Sequence, residues 1–186
     1  MELPPKKRVR RRHVPGTARF LTFSCYRRLR LFDNDAIKSR FVDHLRTALD
    51  RYSVALLAWV VMPEHMHLIL FSDSADRVPL AARTTKRLLA RDVLERWRAL
   101  DAPILPRLRD RAGNVHFWQA GGGYDRNVTG AELLEKIRYM HGNPVVRGLA
   151  PDSVSWPWSS ARAYRGETAA LPIAFDLLPS HVGELT

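Results

Sequence analysis

Residues 54–71, VALLAWVVMPEHMHLILF, limit the possible fold more than any other part of the chain. Residues 54–62 are nearly all apolar, a run too short for a typical buried helix and suited to a strand covered on both faces. Pro63 and Glu64 then turn the chain, and 65–71 reads as the next strand. Strand side chains alternate, so His65 and His67 project to one side while Met66, Leu68 and Leu70 project into a core on the other. Two imidazoles two residues apart on a rigid strand can hold one divalent ion and leave coordination positions open for a phosphate oxygen and a further side chain. Glu64, beside them, is suited to orient an imidazole or a water. On spacing alone the pair reads more readily as half-exposed strand residues with a solvent-facing role only, and its setting directly after an apolar strand and a Pro turn is what favours the metal site.

The rest of the chain supplies elements to pack against those strands. Residues 18–26 read as a strand rich in aromatic and β-branched side chains. Residues 34–51 predict a helix capped by Asn34, with Ile37, Phe41, Leu45 and Leu49 at helical spacing. Residues 78–98 predict a basic helix with Leu80, Thr84, Leu88 and Trp97 on its apolar side. Residues 115–119, VHFWQ, predict a short edge strand, and 121–125, GGGYD, a turn or flexible joint. A last helix is expected from Ala131, opened by a capping box of Thr129 and Glu132, buried along Leu133, Ile137 and Met140, and ended by Asn143–Pro144. The order strand, helix, strand, strand, helix, short strand, helix predicts an α+β fold, an antiparallel sheet covered by helices and related to the ferredoxin arrangement. The expected organisation is a polar arm over 1–16, one domain over 17–150 and a Pro-, Trp- and Ser-rich tail over 151–186 lying against the domain.

Charge narrows the function. The chain carries 30 Lys and Arg against 19 Asp and Glu, a net charge of +11, and only five of the cations are lysine. Arginine's planar fork of donors suits phosphate, so a polyanion, DNA or RNA first, is the expected partner. The arm contributes Lys6, Lys7, Arg8, Arg10, Arg11 and Arg12, and the basic helix contributes Arg83, Lys86, Arg87 and Arg91. A single cysteine, Cys25, excludes an internal disulfide and any multi-cysteine zinc module, and it reads as a small buried hydrophobe. No basic start leads into a long apolar run, so neither a signal peptide nor a membrane span is expected, and the reading is a cytoplasmic protein. There is no His-Glu-x-x-His helix, and Gly121–Gly123 lacks the Gly-Lys-Ser/Thr of a phosphate loop.

On the helix from 131, Glu135, Tyr139 and Asn143 fall at intervals of four, so Tyr139 and Asn143 can reach one site together. Tyrosines often pack at a sheet edge, and Asn143 in that case simply ends the helix. The chemical alternative is a nucleophile. A phenol near pKa 10 attacks poorly at neutral pH, but a metal ion that polarises a phosphate lowers the demand on it.

Taken together, WVVMPEHMHLIL at 59–70, FWQ at 117–119, YMHGNPVVRG at 139–148 and WPWSS at 156–160 resemble the single-tyrosine HUH transposases of small bacterial insertion sequences, most closely the REP-associated tyrosine transposases. The likeness runs from about residue 13 to 165. It implies that His65 and His67 are the paired histidines of the HUH motif, that Tyr139 is the nucleophile, and that Asn143 completes the metal site, a position often held by Gln in the wider group. It implies Mg²⁺ or Mn²⁺ as the ion, single-stranded or hairpin DNA as the partner, and cleavage that leaves a 5′-phosphotyrosine and a free 3′-OH. The expected function is thus DNA transposition by a strand transferase acting as a monomer or homodimer. A hairpin-specific DNA-binding protein without cleavage, and a metal nuclease that activates water, are the alternatives. The stretch AGGGYD at 120–125 departs from relatives, which carry a bulky residue there, and its glycines are expected to loosen the link to the tyrosine helix.

Overall fold

The computed structural model describes Val14, residues 16–121 and residues 123–179, so the basic arm with Lys6, Lys7, Arg8, Arg10, Arg11 and Arg12 lies outside the described residues. Four strands, β1 (Ala18–Ser24), β2 (Ala55–Val61), β3 (His65–Phe71) and β4 (Tyr124–Val128), form one sheet in the order β2-β3-β1-β4. Each neighbouring pair is antiparallel, which leaves β1 and β2 parallel to one another on either side of β3. Helices α1 (Asp35–Tyr52) and α2 (Arg77–Ala99) connect β1 to β2 and β3 to β4, giving the βαββαβ order of a ferredoxin-like α+β fold. A third long helix, α3 (Gly130–Val146), follows β4.

The strand alternation sorts the core into two layers. Leu21, Phe23, Met66, Leu68 and Leu70 face α1 and α2, with Phe41 and Leu45 fully enclosed among them. Phe20, Ile69, Val60 and Met62 face the other way, where Leu133, Ile137 and Met140 of α3 cover them. Truncating one of the enclosed leucines to alanine costs about 2–5 kcal/mol in sites of this kind. The α1 stripe of Ile37, Phe41, Leu45 and Leu49 is buried as its spacing predicts. Asn34 accepts from the Ala36 amide at 2.8 Å, and Ser53, in the left-handed conformation, closes the helix.

Several expectations are corrected. Residues 115–119 form no strand; they make only isolated bridges, Cys25 to Trp118 and Arg109 to Val115. The fourth strand instead comes from Tyr124–Val128, partly inside the segment expected to be a joint. Gly123 explains why: a Cβ there would sit 1.7 Å from the Thr22 carbonyl oxygen, and its φ is +75°. Glycine is what lets β4 approach β1, so this residue tightens the link that the glycine run was expected to loosen. The capping box does not form: Thr129 precedes α3 without a side-chain capping bond, and the Glu132 carboxylate pairs with Arg126 at 2.9 Å. Pro144 lies inside α3, which continues to Val146, so Asn143 is a helical residue and not the end of the helix. On α2 the buried stripe is Val78, Ala81, Ala82, Thr84, Thr85, Leu89, Val93 and Leu94; Leu80, Leu88 and Trp97 are only half-buried.

The tail runs along the outer edge of β2. Val61 N donates to the Trp158 carbonyl at 2.8 Å, Ser160 N to the Trp59 carbonyl at 2.9 Å, and Ala174 N to the Leu56 carbonyl at 3.0 Å. Side chains finish the edge, Trp156 Nε1 donating to the Val61 carbonyl and the Tyr164 hydroxyl to the Leu57 carbonyl. Among the described residues no helix is long and apolar enough to cross a membrane.

Candidate active site

The N-terminal end of β3 carries His65 and His67, both buried, at 6 % and 5 % exposure, on the face covered by α3. They are not the half-exposed pair that spacing alone allows. Their Nε2 atoms lie 3.2 Å apart. Each ring is held from behind. His65 Nδ1 meets Glu64 Oε1 at 3.0 Å, and His67 Nδ1 meets the Thr22 hydroxyl at 2.8 Å across the β1–β3 ladder, where Thr22 and His67 are register partners. With the proton on Nδ1 in both rings, the two Nε2 lone pairs converge on one point, a repulsive arrangement that a bound cation would turn into a favourable one. Phe20 stacks on the His67 ring at 5.3 Å between centroids and limits its rotation.

The electrostatics keep these imidazoles neutral and therefore able to ligate. Burial pushes His67 down to about 3, and the charges of His65 and Arg28 act in the same direction. His65 is also lowered, chiefly by burial, with Glu64 pulling the other way. For Glu64, burial raises the carboxyl, but the hydrogen bond from Arg147 and the charges of His65 and Arg147 outweigh it and hold the group below the usual carboxylate range. Arg147 bonds directly to Glu64 Oε1, and the exposed guanidinium of Arg28 stands 3.9 Å from the same oxygen. Glu64 Oε2 is buried with no hydrogen-bond partner.

Helix α3 brings the other half. Tyr139 is 52 % exposed, and its ring meets His67 edge-on at 5.5 Å between centroids within the same chain. Asn143, one turn later and buried, directs its amide at His67, with Nδ2 3.4 Å from Nε2. Rotating that amide by half a turn would present Oδ1, a ligand oxygen, to the same point. Among the described residues no group of three or more His, Cys, Asp or Glu side chains is arranged to hold a metal. The donors that converge here are two imidazoles and, after that rotation, an amide oxygen, a mixed nitrogen and oxygen set that could hold a divalent ion, with Glu64 behind.

The model of the family described as "Transposase IS200 like" matches residues 17–142. The chain belongs to this family. The matched span of this IS200-like transposase holds β1 through most of α3, including His65, His67 and Tyr139. No curated protein matches the chain. Among solved structures, the REP-associated tyrosine transposase bound to a REP hairpin shares the fold, with a TM-score of 0.58, 20 % identity, and 96 % of this chain and 98 % of that one covered. A transposase-assigned crystal structure from Deinococcus radiodurans R1 aligns at 16 % identity and a TM-score of 0.43, over 79 % of this chain and 98 % of that one.

Within the transposase, His65, His67, Tyr139 and Asn143 come together, whereas Glu135 turns to its neighbour Lys136 at 3.0 Å. Arg83, Lys86, Arg87 and Arg91 lie on α2, on the far side of the sheet from the histidines. Sequence reasoning missed Thr22, Phe20, Arg28 and Arg147. Three of them had a signal: the four-residue interval through 139 and 143 continues to Arg147, and the period of two on β1 puts Phe20 and Thr22 on one face. Arg28 had none. It belongs to a turn at Tyr26–Arg28 in which Arg27 and Arg28 adopt φ of +52° and +53°. The FWQ segment holds that turn, with Tyr26 N donating to the Phe117 carbonyl at 2.8 Å, Gln119 N to the Ser24 carbonyl at 2.9 Å, and Arg27 N to Gln119 Oε1 at 2.9 Å.

Proposed function

We propose that this IS200-like transposase is a metal-dependent DNA-strand transferase that cleaves and rejoins single-stranded or hairpin DNA through a 5′-phosphotyrosine. The observation that carries this reading is the convergence of two buried imidazole Nε2 atoms, 3.2 Å apart, beside a half-exposed tyrosine of the same chain. His65, His67 and the Asn143 amide oxygen would hold Mg²⁺ or Mn²⁺. Such an ion supplies positive charge that polarises the phosphate and stabilises the charge that builds on it during attack.

The protein's own groups do the rest. Thr22 and Glu64 fix the imidazole tautomers. Arg28 and Arg147 place two guanidinium groups at the rim, where a phosphate oxygen can be gripped. The Tyr139 oxygen forms a bond to phosphorus as the bond from phosphorus to the 3′-oxygen breaks. The phenol proton passes to water at the exposed face of α3, and the departing 3′-oxygen takes up a proton to become a hydroxyl. The energy of the broken phosphodiester is retained in the tyrosyl ester, so a 3′-OH can reverse the step at another end. The basic arm and the α2 arginines contribute sequence-independent grip on the backbone.

The test uses a 3′-dye-labelled hairpin oligonucleotide with Mn²⁺, resolved on a denaturing protein gel, because the fragment that stays on Tyr139 carries the substrate's 3′ end. The expected result is a label covalently attached to the wild-type chain and absent with Tyr139→Phe, which still binds DNA. Cleavage that persists in Tyr139→Phe would reject the nucleophile, cut DNA without an adduct would point to hydrolysis by water, and tight binding without any cutting would make the protein a hairpin-binding module.

A further inference from the structure

A cavity of about 480 Å³ lies on the face of the sheet opposite the histidines. It opens where α2 leaves the β1–β4 side of the sheet uncovered. Its floor and walls are apolar: Leu21 and Phe23 of β1, Val78, Ala82 and Ala90 of α2, and Trp118. Its volume falls in the range of roughly 300–1,000 Å³ typical of small-molecule pockets.

Two features make this more than an unfilled gap. At one end stands a charged pair, Arg19 and Asp125, with side chains 5 % and 10 % exposed and bonded in a two-pronged fork. An ion pair placed in an apolar wall forgoes hydration that a hydrophobic pair would not need, so it contributes recognition more readily than stability. The rim is cationic. Arg83 and Arg87 are exposed there, and the Lys86 ammonium lies 4.8 Å from the Phe23 ring centroid and 5.6 Å from that of Trp118. The Trp118 indole is fixed by its Nε1 bond to the Lys86 carbonyl at 2.8 Å. The site is thus flat-sided, aromatic at one wall, polar at its end and positive at its mouth.

We propose that this cavity takes one unpaired nucleobase of the DNA, its ring against Trp118 and Phe23, its polar edge at Arg19 and Asp125, and its flanking phosphates on Arg83 and Arg87. The proposal rests on the DNA-transferase reading. Charge decides the occupant: a cationic mouth over an apolar slot suits a ring that carries phosphates on both sides, and it opposes the chain's own basic arm. Asp125 can accept from a base amino or imide N–H, and Arg19 can donate to a base carbonyl or ring nitrogen. Arg83, Lys86 and Arg87 thereby gain a role in holding DNA on a surface distant from the chemistry, so that one strand is gripped on both faces of the sheet.

The test compares a mixed-sequence single strand of sixteen nucleotides with an abasic strand of the same length, by fluorescence anisotropy on the full chain carrying Tyr139→Phe, without metal. Base stacking of this kind contributes a factor of roughly five to a hundred per base. Ala90→Phe, which fills the slot, should lose such a factor on the base-bearing strand and leave the abasic strand unchanged. In parallel, a 5-iododeoxyuridine strand irradiated on the unsubstituted chain should crosslink to Trp118 or Phe23, read by peptide mass spectrometry; this arm holds even if Ala90→Phe does not fold. Equal affinities of the two proteins for the base-bearing strand, or crosslinks confined to the histidine face, would overturn the pocket while leaving the transferase reading intact. Failure of the protein to bind either strand would overturn the pocket, and failure to bind a hairpin strand as well would overturn the transferase reading.

Discussion

The two halves of the candidate active site are built differently. The strand half is enclosed: His65 and His67 are buried, and each is tied at Nδ1 to an oxygen from the strand pair or its turn. The helix half is open: Tyr139 is half exposed, and α3 reaches the sheet through Leu133, Ile137 and Met140 and through the short strand β4 that precedes it. The difference separates two tasks. A cation site gains from fixed ligands, because every degree of freedom lost beforehand need not be lost on binding. A nucleophile that becomes bonded to a DNA end needs room around it, and an exposed helical position provides that room.

Four experiments can break or sharpen this division. The largest effects fall on chemistry. His67→Ala should abolish both Mn²⁺ binding and adduct formation, whereas Tyr139→Phe should abolish adduct formation and leave Mn²⁺ affinity unchanged, as measured by calorimetry and single-turnover cleavage. Equal loss of metal binding in both variants would mean that the halves are not separable. Next, Gly123→Ala should cost about 3 kcal/mol or more in urea unfolding, since its Cβ would overlap the Thr22 carbonyl and its φ is left-handed. If the folded fraction of that variant still binds Mn²⁺ but forms adduct slowly, β4 serves the helix half.

The third experiment is acid. His141 of α3 is buried, and burial pushes it down to about 4 from an ordinary 6.5. Its Nε2 lies 2.8 Å from the Ser160 hydroxyl, and its Nδ1 has no partner, so a proton added there would be buried without an acceptor. The unfolded chain takes up that proton below about pH 6.5 and the folded chain only near pH 4, so the stability from neutral His141 is present above pH 6.5 and is lost as pH falls toward 4. The loss between pH 7 and pH 4.5, measured by urea titration, should be smaller by roughly 2–3 kcal/mol in His141→Gln than in the unsubstituted chain, the remainder including the contributions of buried His65 and His67. The smallest effect is Thr22→Val, which keeps the shape and removes the oxygen behind His67. It should lower Mn²⁺ affinity by roughly ten- to a hundredfold with little change in Tm, and an unchanged affinity would show that the Thr22 contact does not set the tautomer.

Periodicity explains what was readable in advance. β2, β3, α1 and the body of α3 each repeat apolar residues at one period over a long enough run, and the same rule placed His65 and His67 on one face. It failed where tertiary contact outweighs local pattern. Tyr124–Val128 follows a run of glycines that punctuates most chains, yet it pairs with a strand a hundred residues earlier because Gly123 lets the backbones close and Asp125 meets Arg19. Residues 115–119 alternate like a strand but serve as a clamp on the turn at 26–28. Pro144 is expected as a stop, yet it is buried beside Asn143 and α3 runs on to Val146, so the missing amide bond falls near the helix end, where little helix is left to lose. The four-residue interval brings Asn143 to the same site as Tyr139, while its role as a ligand is implied only by the family resemblance; Arg28 is aimed by a turn whose conformation no local rule encodes.

The tail's path along β2 has a consequence for handling and for fate in the cell. Its hydrogen bonds occupy the outward-facing groups of Leu56, Leu57, Trp59 and Val61, in a strand that is almost wholly apolar. A chain clipped by a protease after residue 150 would expose that row of unpaired amides and carbonyls as a bare, sticky margin. Shortened forms should therefore come out as insoluble aggregates even though every residue of the candidate catalytic group remains in them.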